Sequence, residues 1–293
     1  MDIAVLGASG FIGSAMTEHL RGSGHDVLAL TRSDGDLTAG PPDLRGARVV
    51  YNFAADMGGV AYFHTHDFWP ALSNGRITAN VLQACVEQGV ERVFMASSAC
   101  AYPIHLQRRR PAHRLEESEL ESGVPDQMYG REKLLLTRLA ERAPLDARVG
   151  ILHTIYGDPF PRGQRTKFPT DIAAKMLAAR DSGTVEIWGD GLQERSYLWI
   201  DDAVAKIAAI MDDDDNPGPT NVGYQGSISV QHVAELCADI VGIRPTYTYT
   251  DAKPSGVRAR DCSNAAFWGR YGRMEPTDYR SGFAQLIERL EAA

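Results

Sequence analysis

A short apolar run, Ile3 to Leu6, is followed at once by Gly7-Ala8-Ser9-Gly10-Phe11-Ile12-Gly13, and then by apolar positions at helical spacing through Leu20. Gly22-Ser23-Gly24 stops that pattern, and a second apolar run occupies Asp26 to Leu30. Strand, glycine turn, helix and strand in this succession make a βαβ unit. Further runs at Arg48 to Phe53, Arg92 to Ala96 and Arg148 to Leu152 predict strands, with helices at Ile77 to Glu87 and Tyr129 to Arg142. The alternation predicts an α/β fold whose parallel sheet is covered on both faces. The interval 32–47 is too short for the helix, strand and helix such a sheet normally carries there, and it holds Gly35, Gly40, Pro41 and Pro42. A stub of strand near Asp36-Leu37-Thr38 and a trimmed loop are expected.

After Gly157 the texture changes, with Pro159, Pro161, Gly163 and Pro169. Helices are expected at Asp171 to Ala179, Asp201 to Met211 and Val230 to Val241, and an apolar segment at Val185 to Trp188. The acidic tract Asp212 to Asp215 precedes Asn216-Pro217-Gly218-Pro219, so it reads as a solvated helix end and turn and not as a metal site. Residues 1–157 form the expected dinucleotide-binding domain. Residues 158–293 form a smaller α/β substrate region, interleaved with the first and packed on the sheet's edge.

Composition narrows the picture. With 44% hydrophobic and 23% charged residues over 293 positions, the chain is globular and not disordered. A net charge of −8 argues against a surface built to neutralise nucleic-acid phosphates. Cys85, Cys100, Cys237 and Cys262 form no C-x-x-C pair and read as reduced thiols of a cytoplasmic protein. The N-terminus lacks a basic segment before an apolar one, so no signal peptide is expected, and no run approaches a membrane span.

Three features carry chemistry. Gly7, Gly10 and Gly13 lie between strand and helix, where small residues let a pyrophosphate approach the helix N-terminus. Tyr129 and Lys133 are four apart on a helix, so the ammonium can sit below the phenol and, with an oxidised nicotinamide, lower its pKa. Ser98 ends a strand upstream and can supply a hydroxyl. In this order the three features resemble the extended short-chain dehydrogenase/reductase superfamily, in its nucleotide-sugar branch, with a Rossmann-type doubly wound sheet.

The resemblance sharpens in Ala54-Ala55-Asp56-Met57-Gly58-Gly59, Ser97-Ser98-Ala99-Cys100-Ala101-Tyr102-Pro103, Ile155-Tyr156-Gly157 and Gln164-Arg165-Thr166-Lys167-Phe168-Pro169. It continues in Trp188-Gly189-Asp190-Gly191-Leu192-Gln193-Glu194-Arg195-Ser196 and Gly256-Val257-Arg258-Ala259-Arg260. Together these are similar to the GDP-mannose 3,5-epimerases. The resemblance implies that Tyr129 takes the carbon 4 hydroxyl proton while hydride moves to bound NAD, assisted by Ser98 and Lys133. The ketone then acidifies carbons 3 and 5, and Cys100 and Lys167 exchange protons on opposite faces. It implies cofactor contacts from Gly7, Ser9, Gly10, Phe11, Ile12, Gly13, Thr31, Arg32, Asp36, Leu37, Ala54 and Ala55. It implies substrate contacts from Met57, Gly58, Gly59, Ser98, Lys175, Gln193, Arg195 and Arg258, a GDP-sugar substrate and a homodimer. His64 and His66 read as surface residues, and Cys85, Cys237 and Cys262 as structural.

Two departures matter. Thr31-Arg32 stands where these epimerases carry an acidic residue for the ribose 2′-hydroxyl, and an arginine there suits the 2′-phosphate of NADP. Thr154 replaces an expected asparagine. The rival readings are an NADPH-consuming enzyme of the GDP-fucose synthase type, which carries a histidine where Lys167 stands, and a nonenzymatic NAD(P) sensor.

Overall fold

The computed structural model describes residues 2–157, 167–252 and 256–292. A six-stranded parallel sheet is built from β1 (Ile3–Leu6), β2 (Val27–Leu30), β3 (Val49–Asn52), β4 (Arg92–Ser98), β6 (Asp146–Leu152) and β11 (Thr220–Val222). Its order is β11-β6-β4-β3-β1-β2, and every neighbouring pair is parallel. Smaller sheets join β7 (Thr154–Tyr156) to β10 (Tyr197–Trp199), and β8 (Thr184–Trp188) to β13 (Thr246–Thr250). A four-stranded one has the order β12 (Ile228–Ser229), β9 (Glu194–Arg195), β14 (Ala259–Cys262), β5 (Arg114–Leu115). The helices are α1 (Phe11–Gly22), α2 (Val60–Thr65), α3 (Phe68–Glu87), α4 (Met128–Arg142), α5 (Phe168–Ser182), α6 (Ile200–Asp212), α7 (Val230–Val241), α8 (Ala265–Tyr271) and α9 (Tyr279–Ala292).

Successive residues of a strand point to opposite faces, so a sheet covered on both sides needs apolar side chains at every position. β1 shows this. Ile3 and Val5 enter a core shared with α1, α5, α6, α7 and α9, whereas Ala4 and Leu6 enter one under α3 and α4. Strand β11 and helix α6, both from the second half of the chain, complete the main sheet on its far edge, so the two halves interleave.

α3 begins well before Ile77. Pro70 sits in its first turn, where its missing N–H costs nothing, and Pro70, Asn74, Ile77, Thr78, Val81 and Cys85 follow helical spacing along the buried face. Asn74, Gly75 and Arg76 interrupt the apolar run and hide this start in the sequence. The acidic tract is the end of α6 and a turn, with Asp213 held by Arg270.

One expectation is corrected. Residues 36–38 form no strand, because the Asp36 carboxylate accepts both the Thr38 amide at 2.9 Å and the Thr38 hydroxyl at 2.8 Å, folding the segment into a turn. The loop 31–46 is instead pinned from α3 and its C-cap. Asn80 Nδ2 donates to the Leu37 carbonyl at 2.7 Å, the Leu44 amide donates to Gln88 Oε1, and Gln88 Nε2 donates to the Pro42 carbonyl. β2 is therefore an edge strand of the sheet.

Candidate active site

A cleft of about 1050 Å³ opens at the C-terminal ends of β1, β3 and β4. Its wall includes Gly7, Ser9, Gly10, Phe11, Ile12, Gly13, Thr31, Arg32, Asp36, Leu37, Ala54, Ala55, Met57, Gly58, Ser98, Tyr129, Lys133 and Lys167. Every residue expected to touch the cofactor is among them. α1 starts at Gly10 with no side-chain cap and no acid in its first turn, so its first amides face the cleft without a competing carboxylate. A Cβ on Gly13 would lie 2.1 Å from the Gly7 carbonyl oxygen, so only glycine lets α1 pack this close to the turn. Such a cradle fits a dinucleotide pyrophosphate.

The rim is polar. Thr31 donates its amide and its hydroxyl to Asp34 Oδ2, at 2.9 and 3.0 Å. Arg32 is almost fully exposed, with Asp36 Oδ2 4.0 Å away.

The second group of wall residues comes from β4 and α4. Lys133 Nζ lies 5.6 Å from the Tyr129 ring centroid, as the spacing of four predicts. Two features set the helix against the strand. Ser97 Oγ donates to the Lys133 carbonyl, and Gly130 lets α4 approach the Cys100 turn so closely that a Cβ would sit 2.2 Å from the Cys100 carbonyl oxygen. Phe63 of α2 stacks on Tyr129 at 4.3 Å, and the Tyr129 hydroxyl lies 3.0 Å from Met57 Sδ. The expected lowering of the phenol pKa is not found in the protein alone. Burial, with the charges of Cys100 and Glu132, holds it well above the usual range, and Ser98 and Arg260 act in the opposite sense.

Cys100 follows Ser98 in a short 3-10 turn, its amide donating to Ser98 Oγ at 3.2 Å. It is half-buried, whereas Cys85, Cys237 and Cys262 are buried. Burial works to raise the pKa of the Cys100 thiol. The Arg260 guanidinium, the Ser98 hydroxyl and Arg195 outweigh it, and the net shift is downward. Lys167 is shifted down by burial, against the pull of the Cys100 charge. Arg195 falls to about 10 through burial and the like charge of Arg260. The two arginines meet because they occupy paired positions of the parallel strands β9 and β14.

Lys175, Gln193 and Arg258 lie off the cleft wall, around the turn after β8. Lys175 Nζ donates to the Glu186 carbonyl and sits 5.8 Å over the Trp188 ring; Gln193 Nε2 donates to the Trp188 carbonyl at 2.8 Å. Arg258 is held by Asp190 at 2.8 Å. Gly59 caps α2, and His64 and His66 are exposed. Pro159, Pro161, Gly163 and the motif residues Gln164, Arg165 and Thr166 lie outside the described residues.

Sequence reasoning assigned no role to three residues. Arg260 contacts the Cys100 sulfur directly, and Gln107 contacts Arg260. His153, on the cleft wall, bonds Asn221 Oδ1 at 3.1 Å and is pushed down to about 3 by burial, so it is neutral. Among the described residues no cluster of His, Cys, Asp or Glu could hold a metal, and no helix is long and apolar enough to cross a membrane.

Residues 3–223 match the model of the NAD dependent epimerase/dehydratase family. Over 93% of its length the chain is 32% identical to GDP-mannose 3,5-epimerase 1 of Oryza sativa subsp. japonica, covering 77% of that protein. It is 27% identical to the putative GDP-L-fucose synthase 2 of Arabidopsis thaliana, over 98% of this chain and 90% of that one. The fold superposes on Thermus thermophilus UDP-glucose 4-epimerase in complex with NAD with a TM-score of 0.83, at 20% identity and full coverage of both chains.

Proposed function

The chain belongs to the NAD dependent epimerase/dehydratase family, and from that premise we propose that it epimerises GDP-mannose or a related GDP-hexose at carbon 5, carbon 3 or both. One observation carries the reading. A phenol and an amine from separate segments, Tyr129 and Lys167, line one cleft with Ser98, and Cys100 lies two residues beyond Ser98 in the turn on which the Tyr129 helix packs.

With its pyrophosphate in the glycine cradle, a bound nicotinamide dinucleotide would supply reversible two-electron oxidation of the carbon 4 alcohol. The residues do the rest. Tyr129 accepts the carbon 4 hydroxyl proton, with Lys133 beneath its ring, and later returns it; Ser98 donates a hydrogen bond to the same oxygen. A hexose C–H beside an alcohol is too weak an acid to exchange, but beside a carbonyl it is not. Cys100 and Lys167 then remove and return the proton from opposite faces. Arg195, Lys175, Gln193 and Arg258 hold the nucleotide and its diphosphate, a local positive charge within a chain of net −8. Residues 1–157 thus serve the cofactor and carry the catalytic Ser98, Cys100, Tyr129 and Lys133, and residues 158–293 serve mainly the substrate.

The cofactor is NAD. A redox-neutral cycle draws on no NADPH pool, and the Asp36 carboxylate 4.0 Å from Arg32 offsets the charge that would draw a 2′-phosphate. Arg32 is the feature that favours the rival, an NADPH-consuming enzyme of the fucose synthase type; Lys167 in place of its histidine opposes that. The exposed apolar residues Leu135 and Leu139 on α4, with Phe68 and Trp69 on α3, suit a helix-pair homodimer, and four free thiols suit the cytoplasm.

Incubation with GDP-mannose in deuterated water, followed by NMR, tests the reading. Deuterium at carbon 5 or 3 of an epimerised GDP-sugar, without net cofactor turnover, is the expected result. No deuterium uptake into the sugar nucleotide, or stoichiometric NADPH oxidation, would overturn it.

A further inference from the structure

Gln107 is 1% exposed, at the end of the 3-10 turn that follows Pro103. Its Nε2 donates to the Tyr102 carbonyl at 3.0 Å and to the Pro103 carbonyl at 3.3 Å. An amide whose nitrogen is committed to two carbonyls presents its oxygen in the other direction. There Arg260 Nε donates to Gln107 Oε1 at 2.5 Å, while Arg260 Nη1 contacts Cys100 Sγ at 3.3 Å. A guanidinium is rigid and planar, so fixing one nitrogen aims the others. The chain of contacts therefore runs from the backbone just beyond Cys100, through Gln107 and Arg260, back to the Cys100 sulfur.

We propose that Gln107 and Arg260 are positioning residues for Cys100: the glutamine locks the guanidinium against the sulfur, and the sulfur is thereby kept as the proton acceptor of the site. The use of that acceptor rests on the epimerase reading above; the arrangement itself does not. Several groups face the sulfur: Arg260 from β14, Arg195 from β9, Lys167 before α5, Tyr129 on α4 and the Ser98 hydroxyl on β4. Of these, Arg260 reaches the sulfur from another strand, with Nη1 3.3 Å from it, and Gln107 is the side chain that sets its orientation. A purely structural cross-link between β14 and the 3-10 turn would need neither the charge nor the fork.

The test is the rate of Cys100 alkylation by iodoacetamide in the purified full chain, followed from pH 5 to 10 by peptide mass spectrometry. Thiolate alone reacts, and the buried Cys85, Cys237 and Cys262 report any loss of fold. In the unmodified protein the midpoint should lie below the roughly 8.5 of a free thiol. Arg260→Gln should raise it by at least about one unit and slow labelling at pH 6.5 roughly tenfold. Gln107→Leu should shift it the same way, by about threefold in rate, and the double variant should go no further than Arg260→Gln alone. Arg260→Lys keeps the charge but not the fork, so its midpoint should fall between the two. An unmoved midpoint in folded Arg260→Gln would overturn the role of the arginine. Should that variant unfold, an unmoved midpoint in Arg260→Lys overturns the role of the fork, and one in Gln107→Leu that of the glutamine. Labelling needs no sugar nucleotide, so its outcome stands apart from whether GDP-mannose is the substrate.

Discussion

The two walls of the cleft are built on opposite principles. The wall around Gly7, Gly10 and Gly13 is backbone. Its amides come from one segment, which packs closely on itself at Gly13 and on the Phe53-Ala54 backbone at Gly7, and side chains matter chiefly by being absent. The facing wall is made of side chains from β4, α4 and the residue before α5, backed by Cys100 and by the arginines of β9 and β14, and its electrostatics exist only once those elements meet. A backbone wall suits the invariant part of a reaction, a cofactor that is the same in every turnover. A side-chain wall can be retuned one residue at a time, which suits the part that chooses a substrate and moves its protons.

The contrast can be broken by experiment. Its largest expected effect is on the side-chain wall: Tyr129→Phe removes one oxygen and little shape, and should cut turnover at least about 100-fold, the usual loss of a general base. Turnover near that of the unmodified protein would remove Tyr129 from the mechanism. On the backbone wall the rule reverses, and adding one carbon should harm. Gly13→Ala places a methyl 2.1 Å from the Gly7 carbonyl oxygen, an overpacking that should weaken NAD binding by about tenfold or more, as titration calorimetry would read. An unchanged affinity would mean that the turn is softer than its packing implies. The smallest effect sharpens the boundary between the walls: Arg32→Ser, at an exposed rim position, should change NAD affinity by less than about threefold. If it instead abolishes a measured preference for NADP, the rim does more than the proposed cofactor allows.

What the sequence made legible follows the same division. The glycine turn and the Tyr129–Lys133 pair are local patterns, and both are where spacing places them. Arg260 was within a recognised motif but had no role, because its partnership with Arg195 depends on strand pairing between residues 195 and 260. Gln107 is in sequence one polar residue before Arg108-Arg109-Arg110; its burial, its two carbonyl partners and its contact with Arg260 set it apart. The stub of strand expected at 36–38 failed for a related reason. A strand needs free backbone groups and a neighbour, and Asp36 takes the Thr38 amide locally while Asn80, distant in sequence, takes the Leu37 carbonyl.

That missing strand bears on how such a fold can change over evolutionary time. In an open parallel sheet a strand at the margin has one hydrogen-bonded neighbour, and a strand inside has two. Losing the unit beyond β2 therefore forfeits one ladder and its covering helix, and three ties from Asn80 and Gln88 close the gap. The crevice lies between β1 and β3, whose connections leave toward opposite margins, and it is one strand further in. The trimmed border leaves the chemistry beside Gly13 and Ser98 in register, while its loop, residues 31–45, forms the rim of the same cleft.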